Sequence, residues 1–153
     1  MFNTASDVKP SKKLSGMLDI LVDMAKDMLE KFGEFDPMGM VLTGEGKVIF
    51  LDTTLWQKDA PAKGLAPNQL LRNIEDGIRD IRRRSKLDCA IIFYDVTLRS
   101  QDGSGDPKNA LVGRLEERGE GAYQVVIQYE LTDGHFEITS KYFIPKQHHL
   151  IPA

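Results

Sequence analysis

Four β-strands in succession, read between Leu87 and Ile144, constrain this chain more than any other feature. The first, residues 87–99, runs Leu-Asp-Cys-Ala-Ile-Ile-Phe-Tyr-Asp-Val-Thr-Leu-Arg, and residues 109–118, 122–131 and 136–144 follow. In the third strand Tyr123, Val125, Ile127, Tyr129 and Leu131 share one side, while Gln124, Val126, Gln128 and Glu130 take the other. That period of two marks a strand with one face buried. Short tips containing Gly119 and Gly121, then Asp133 and Gly134, join the later strands. Turns this tight connect antiparallel neighbours. A polar loop over residues 100–107 follows the first strand, and Pro145 is expected to end the last one.

Two helices are legible upstream. Over residues 11–32 the apolar positions Leu14, Met17, Leu18, Leu21, Met24, Ala25, Met28, Leu29 and Phe32 recur three and four apart, with Gly33 placed to cap the end. The second helix, residues 67–86, starts at Pro67 and buries Leu70, Leu71, Ile74, Gly77, Ile78 and Ile81. Between them, residues 39–43 and 47–52 read as a hairpin around Gly44-Glu45-Gly46. Its second strand carries Val48-Ile49-Phe50-Leu51, a run that suits a strand covered on both faces. Residues 53–66, with Trp56, form a long connection.

The expected fold is α+β: an antiparallel sheet of five or six strands with two principal helices, in the order α-β-β-α-β-β-β-β. The 153 residues make one domain, with residues 1–11 as a loose arm and 146–153 as a frayed tail. The order resembles in part small roadblock- or profilin-like domains, which carry a further terminal helix.

Bulk chemistry narrows the function classes. A formal net charge of -3 gives no global attraction for nucleic acid or anionic lipid. No stretch reaches the ~20 apolar residues of a membrane span. The single cysteine, Cys89, excludes an intrachain disulfide, and the opening residues lack the basic-then-apolar run of a secretory signal. The expectation is a cytoplasmic protein.

The segment Phe32-Gly33-Glu34-Phe35-Asp36-Pro37-Met38-Gly39, leading from a helix into a hairpin, resembles a motif of small uncharacterised bacterial α+β proteins. The run Ile91-Ile92-Phe93-Tyr94-Asp95-Val96, and a strand ending Leu115-Glu116-Glu117-Arg118, are similar too. The resemblance covers about half the chain and implies a shared fold and a bacterial, cytoplasmic setting. It implies no activity. Asp36 stands where an aromatic is commoner, so no functional residue carries over.

Candidate chemistry rests on few groups. Glu34, Asp36, Tyr94 and Asp95 are the candidate catalytic residues, because carboxylates with pKa values pushed apart can serve as acid and base. The blander reading gives Glu34 and Asp36 to the turn and leaves Asp95, inside a strand, needing solvent or a partner. The loop Asp102-Gly103-Ser104-Gly105-Asp106 has alternating oxygens but lacks the calcium-loop pattern. Gly44-Glu45-Gly46 precedes a strand and cradles no phosphate. His135, His148 and His149 lack metal-ligand spacing. Neither a metal nor a cofactor is expected.

Arg79, Arg82, Arg83, Arg84 and Lys86 offer a weak nucleic-acid surface, or a solvated face that complements the helix dipole. A Met17, Met24, Met28 stripe suits core filling or adaptable binding. The function these features favour is a non-catalytic module that binds another protein, with a small carboxylate enzyme as the alternative. A homodimer is also expected: the central strands are apolar on both sides, and two helices on one face would leave the other bare. The competing arrangement, with one helix on each face or the Trp56 loop folded over the open side, needs no partner.

Overall fold

The computed structural model describes residues 9–52, 67–98 and 105–146. Expectations that fall on residues 1–8, 53–66, 99–104 and 147–153 lie outside the described residues. These are the arm, the Trp56 connection, the start of the calcium-like loop, and the tail with His148 and His149.

The element order matches the one expected: α1 (Lys12–Phe32), β1 (Met38–Thr43), β2 (Val48–Asp52), α2 (Pro67–Arg84), β3 (Leu87–Leu98), β4 (Lys108–Glu117), β5 (Gly121–Thr132) and β6 (His135–Lys146). All six strands join one antiparallel sheet in the order β2-β1-β3-β4-β5-β6. The fold is α+β.

Helix α1 forms where its ends are satisfied and one stripe is apolar. The Ser11 hydroxyl accepts a bond from the Leu14 N–H at 3.2 Å, occupying a donor that the first turn leaves free. At the far end Gly33 takes φ 76° and donates its N–H to the Leu29 carbonyl, closing the helix in a left-handed cap. The stripe Leu14, Leu18, Leu21, Ala25 and Leu29 is buried completely or nearly so. Each fully buried leucine contributes about 1.5–3 kcal/mol relative to exposure. The arm does not stay loose to its end, because Pro10 is buried beside the cap.

The two helices take opposite faces. Helix α1 closes a core with Met40, Cys89, Ile91, Phe93, Leu111 and Ile127. Ile74, Ile78 and Ile81 of α2 close a second core with Val41, Leu51 and Ile92 on the other side. They are also offset along the sheet, α1 lying over β3, β4 and β6 and α2 over β1, β2 and β3. This is the competing arrangement, and it removes the condition on which the homodimer expectation rested, two helices sharing one face.

The offset also corrects the reading of β2. That strand is an edge, with Ile49 and Leu51 turned toward α2 while Val48 and Phe50, 47% and 37% exposed, point away. Its apolar run therefore does not signal cover on both faces. A second correction concerns Pro145, which does not end β6: the strand continues through it to Lys146, paired with Ala122. An edge strand accepts proline because one side of its backbone has no ladder to feed.

Candidate functional site

Strand geometry divides the four candidate residues. Tyr94 and Asp95 are consecutive in β3, so their side chains leave the sheet on opposite faces. Tyr94 packs against the core under α2, whereas Asp95 follows Phe93 on the α1 side. Glu34 and Asp36 are both exposed, in the connection between α1 and β1. Between them Phe35 is buried and meets the Phe93 ring edge-on, with centroids 5.8 Å apart. The connection is thus held by its aromatic residue, with both carboxylates turned to solvent.

Asp95 has a specific partner. The Tyr129 hydroxyl donates to its Oδ1 at 2.8 Å, and the Tyr129 ring stacks on Phe136 with centroids 5.1 Å apart. Burial raises the Asp95 pKa above the usual carboxylate value, against the opposing pull of the Tyr129 bond and a backbone bond at Val96. Burial also raises Tyr129, and the carboxylate it serves raises it further. Because the folded-state pKa of Asp95 lies above its unfolded value, the native state binds a proton more readily than the unfolded chain. The carboxyl's favourable contribution is then complete below the ordinary carboxylate pKa and is lost as pH rises through the folded value. Asp95→Asn keeps an acceptor for Tyr129 and removes the charge. Its melting temperature is expected to exceed that of the wild type at pH 7, with the difference closing as the pH falls through the raised folded value and gone at the ordinary carboxylate pKa; a lower value at pH 7 would show that the charge itself holds the pair.

On the α2 face the polar groups are arranged as supports. Arg114 Nη1 bonds Glu75 Oε1 at 3.0 Å, tying α2 to β4, and Arg79 reaches the other oxygen of Glu75 at 3.5 Å. Tyr94 lies near this pair: burial raises its pKa, with Arg114 pulling it down and Glu75 adding to the rise. The basic end of α2 is laced to acids one turn earlier, Arg79 to Asp76 at 3.6 Å and Arg84 to Asp80 at 2.9 Å. Such exposed pairs add little stability, yet they reduce the local positive field that a nucleic-acid surface needs.

Among the described residues, two clefts of about 350 Å³ open at the ends of the strands. One is lined by Thr43, Glu45, Ser85, Lys86, Asp88 and Arg118, where Arg118 pairs with Asp88. Lys108, Asn109, Gln128, Tyr129, Glu130 and Thr139 line the other. Neither lining includes Glu34, Asp36, Tyr94 or Asp95. Cys89 is fully buried, and desolvation pushes its thiol up to about 12, with Glu117 adding to the rise. It packs as a small apolar group rather than a nucleophile. His135 is exposed, 3.9 Å from Glu30. Among the described residues no group of three or more His, Cys, Asp or Glu is placed to hold a metal ion, and no helix is long and apolar enough to cross a membrane.

Sequence reasoning missed the long-range pairs made by Asp95 and Arg114. For Asp95 a signal existed: an inward charge on a strand needs an inward polar partner, and Tyr129 is one of the two inward tyrosines of β5. For Arg114 there was none, since Glu75 lies on a separate element whose placement local pattern does not reveal. Compared with protein-family models, with curated proteins and with solved structures, the chain finds no match.

Proposed function

We propose that this chain is a non-catalytic module that binds another protein in the bacterial cytoplasm. The observation that carries the reading is the separation of the candidate acid–base groups. Tyr94 and Asp95 face opposite layers, Glu34 and Asp36 stand in solvent, and Asp95 is engaged by Tyr129. Acid–base catalysis needs such groups to converge on one reacting atom in a concave, partly dry pocket. A binding module has no such requirement and works through the surfaces that its sheet presents.

Self-association is a second proposal, and it rests on the edge of the sheet. Val48 and Phe50 form an exposed apolar pair on β2, an edge strand of the sheet among the described residues. A second copy meeting that edge about a two-fold axis would cover both. The test joins size exclusion to light scattering on the tagged chain, alone and after capture from a native bacterial lysate. The expected results are twice 17.2 kDa alone and a heavier stoichiometric complex after capture. A mass of 17.2 kDa alone would remove the dimer, and no captured protein at physiological salt would remove the module.

A further inference from the structure

We infer that the outer edge of β6 receives an extended segment of a partner protein, apolar at its centre and acidic at both ends, as a seventh strand of the sheet. The inference rests on the protein-binding reading and names where and what the module binds. Strand addition suits a long free edge: main-chain bonds supply affinity, and the side chains flanking the edge select the incoming sequence. Strand β6 is 12 residues long and terminal in the sheet among the described residues.

Its register shows which side chains an added strand would meet. Tyr142 pairs with Val126, which pairs with Val112, which pairs with Tyr94, so an apolar row crosses the α2 face and ends at the edge. On the α1 face Phe143 ends the row through Val125, Gly113 and Phe93. Tyr142, Phe143 and Ile144 are half-buried, so each offers part of its surface to a neighbour beyond the edge. Lys141 and Lys146 bracket this run and are exposed, Lys141 with its ammonium 5.7 Å from the Phe143 ring centroid. An incoming strand therefore meets a lysine, three apolar positions, a proline and a second lysine. Its complement carries acids five residues apart, on opposite faces, with apolar residues between.

The same lysines decide between possible occupants. Edge lysines, a proline and a bulge are devices that discourage sheets from joining edge to edge, and β6 has all three, its register shifting at Gln128/Tyr129. A second copy of β6, paired antiparallel about Phe143, would set Lys141 against Pro145 and Lys146 against Ser140. In that register, which alone joins the apolar centres, no carboxylate would face either lysine. An acidic segment turns both from a barrier into an attraction, which fixes register as well as favouring encounter.

The experiment uses the full chain and two blocked peptides. One reads Ser-Glu-Thr-Val-Tyr-Val-Glu-Ser, and in the other both glutamates are replaced by lysine. Titration calorimetry at physiological salt is expected to give about tenfold or more tighter binding of the acidic peptide. Amide exchange should slow within residues 141–146 when it binds. The variant Lys141→Glu/Lys146→Glu, which changes only exposed side chains, should keep the wild-type circular dichroism and prefer the lysine peptide. Equal affinity for both peptides, no binding of either at millimolar concentration, or protection confined to other strands would each overturn the inference. So would a captured protein partner that binds the double variant unchanged, an outcome that leaves the module reading standing.

Discussion

Phe93→Ala is expected to be the most damaging single truncation among the described residues. Phe93 is fully buried, lies on the central strand β3 and forms the aromatic contact that holds Phe35, and with it the connection into β1. Removing the ring deletes buried apolar surface and leaves a hole that the sheet, fixed by its ladders to β1 and β4, cannot close. Losses of about 3–5 kcal/mol are typical of such truncations. For a chain of this length that corresponds to a fall in melting temperature of roughly 6–20 °C. Phe32→Ala provides the control: that ring is 70% exposed, and its loss should fall within about 0.5 kcal/mol. Equal effects for the two would mean that α1 does not pack on this face.

Gly113→Ala is the second large expectation, and here the problem is too little space. Gly113 sits in β4 between Phe93 and Val125, in the row that also contains Phe143. A Cβ at this position would lie 2.8 Å from Val125 Cγ1, 3.1 Å from Phe93 Cδ1 and 3.3 Å from Leu115 Cδ1. All three neighbours are fully buried side chains, so none has solvent to move into. Overpacking of this kind costs about 1–3 kcal/mol. Val125→Ala alone should also destabilise, by leaving a hole. Combined, the new methyl occupies the vacated space, and denaturant titration should show the pair costing about 0.5–3 kcal/mol less than the sum of its members. Strict additivity would mean that the two positions do not touch. Gly39 on β1 shows the same economy beneath α2, where a Cβ would come within 2.7 Å of Ile74 Cγ2.

The features legible in the sequence were those written locally. Helix α1 announces itself because Ser11, the stripe from Leu14 to Leu29 and Gly33 each act within a turn or two of their neighbours. The strands β3 to β6 follow from alternation and tight turns, and their inward positions Ile91, Phe93, Val125 and Ile127 are fully buried, as is Ile74 of α2. Local pattern does not say which face of a sheet a helix takes. The stripe of α2 specifies that it is buried, and the face depends on how the chain crosses between β2 and β3. The homodimer premise and the reading of Val48-Ile49-Phe50-Leu51 both failed on that point, since a helix on the second face covers Ile49 and Leu51 and leaves Val48 and Phe50 bare. Pro145 misled for a related reason, because only the sheet order reveals β6 as an edge that tolerates it.

The candidate site was legible only as a set of residue types. Asp95 stood out as a charge in a strand, and alternation alone separates it from Tyr94. Its bond to Tyr129 spans 34 positions, and the Glu75–Arg114 bridge spans 39, so both depend on the folded register. Because pattern proposes groups and register decides which ones meet, the four candidate residues end up apart: Tyr94 and Asp95 on opposite faces, Glu34 and Asp36 in a solvent-exposed turn.

The central claim, that this molecule works by presenting surfaces and not by acid–base chemistry, is tested most directly by neutralising the candidate carboxylates together. The measurement is the amount of partner retained by immobilised Glu34→Gln/Asp36→Asn/Asp95→Asn relative to the wild type, with both confirmed folded by circular dichroism. Retention within about twofold, a difference well under 1 kcal/mol, is the result predicted here. A loss of tenfold or more, or a chemical turnover that the wild type performs and the neutralised chain lacks, would contradict it.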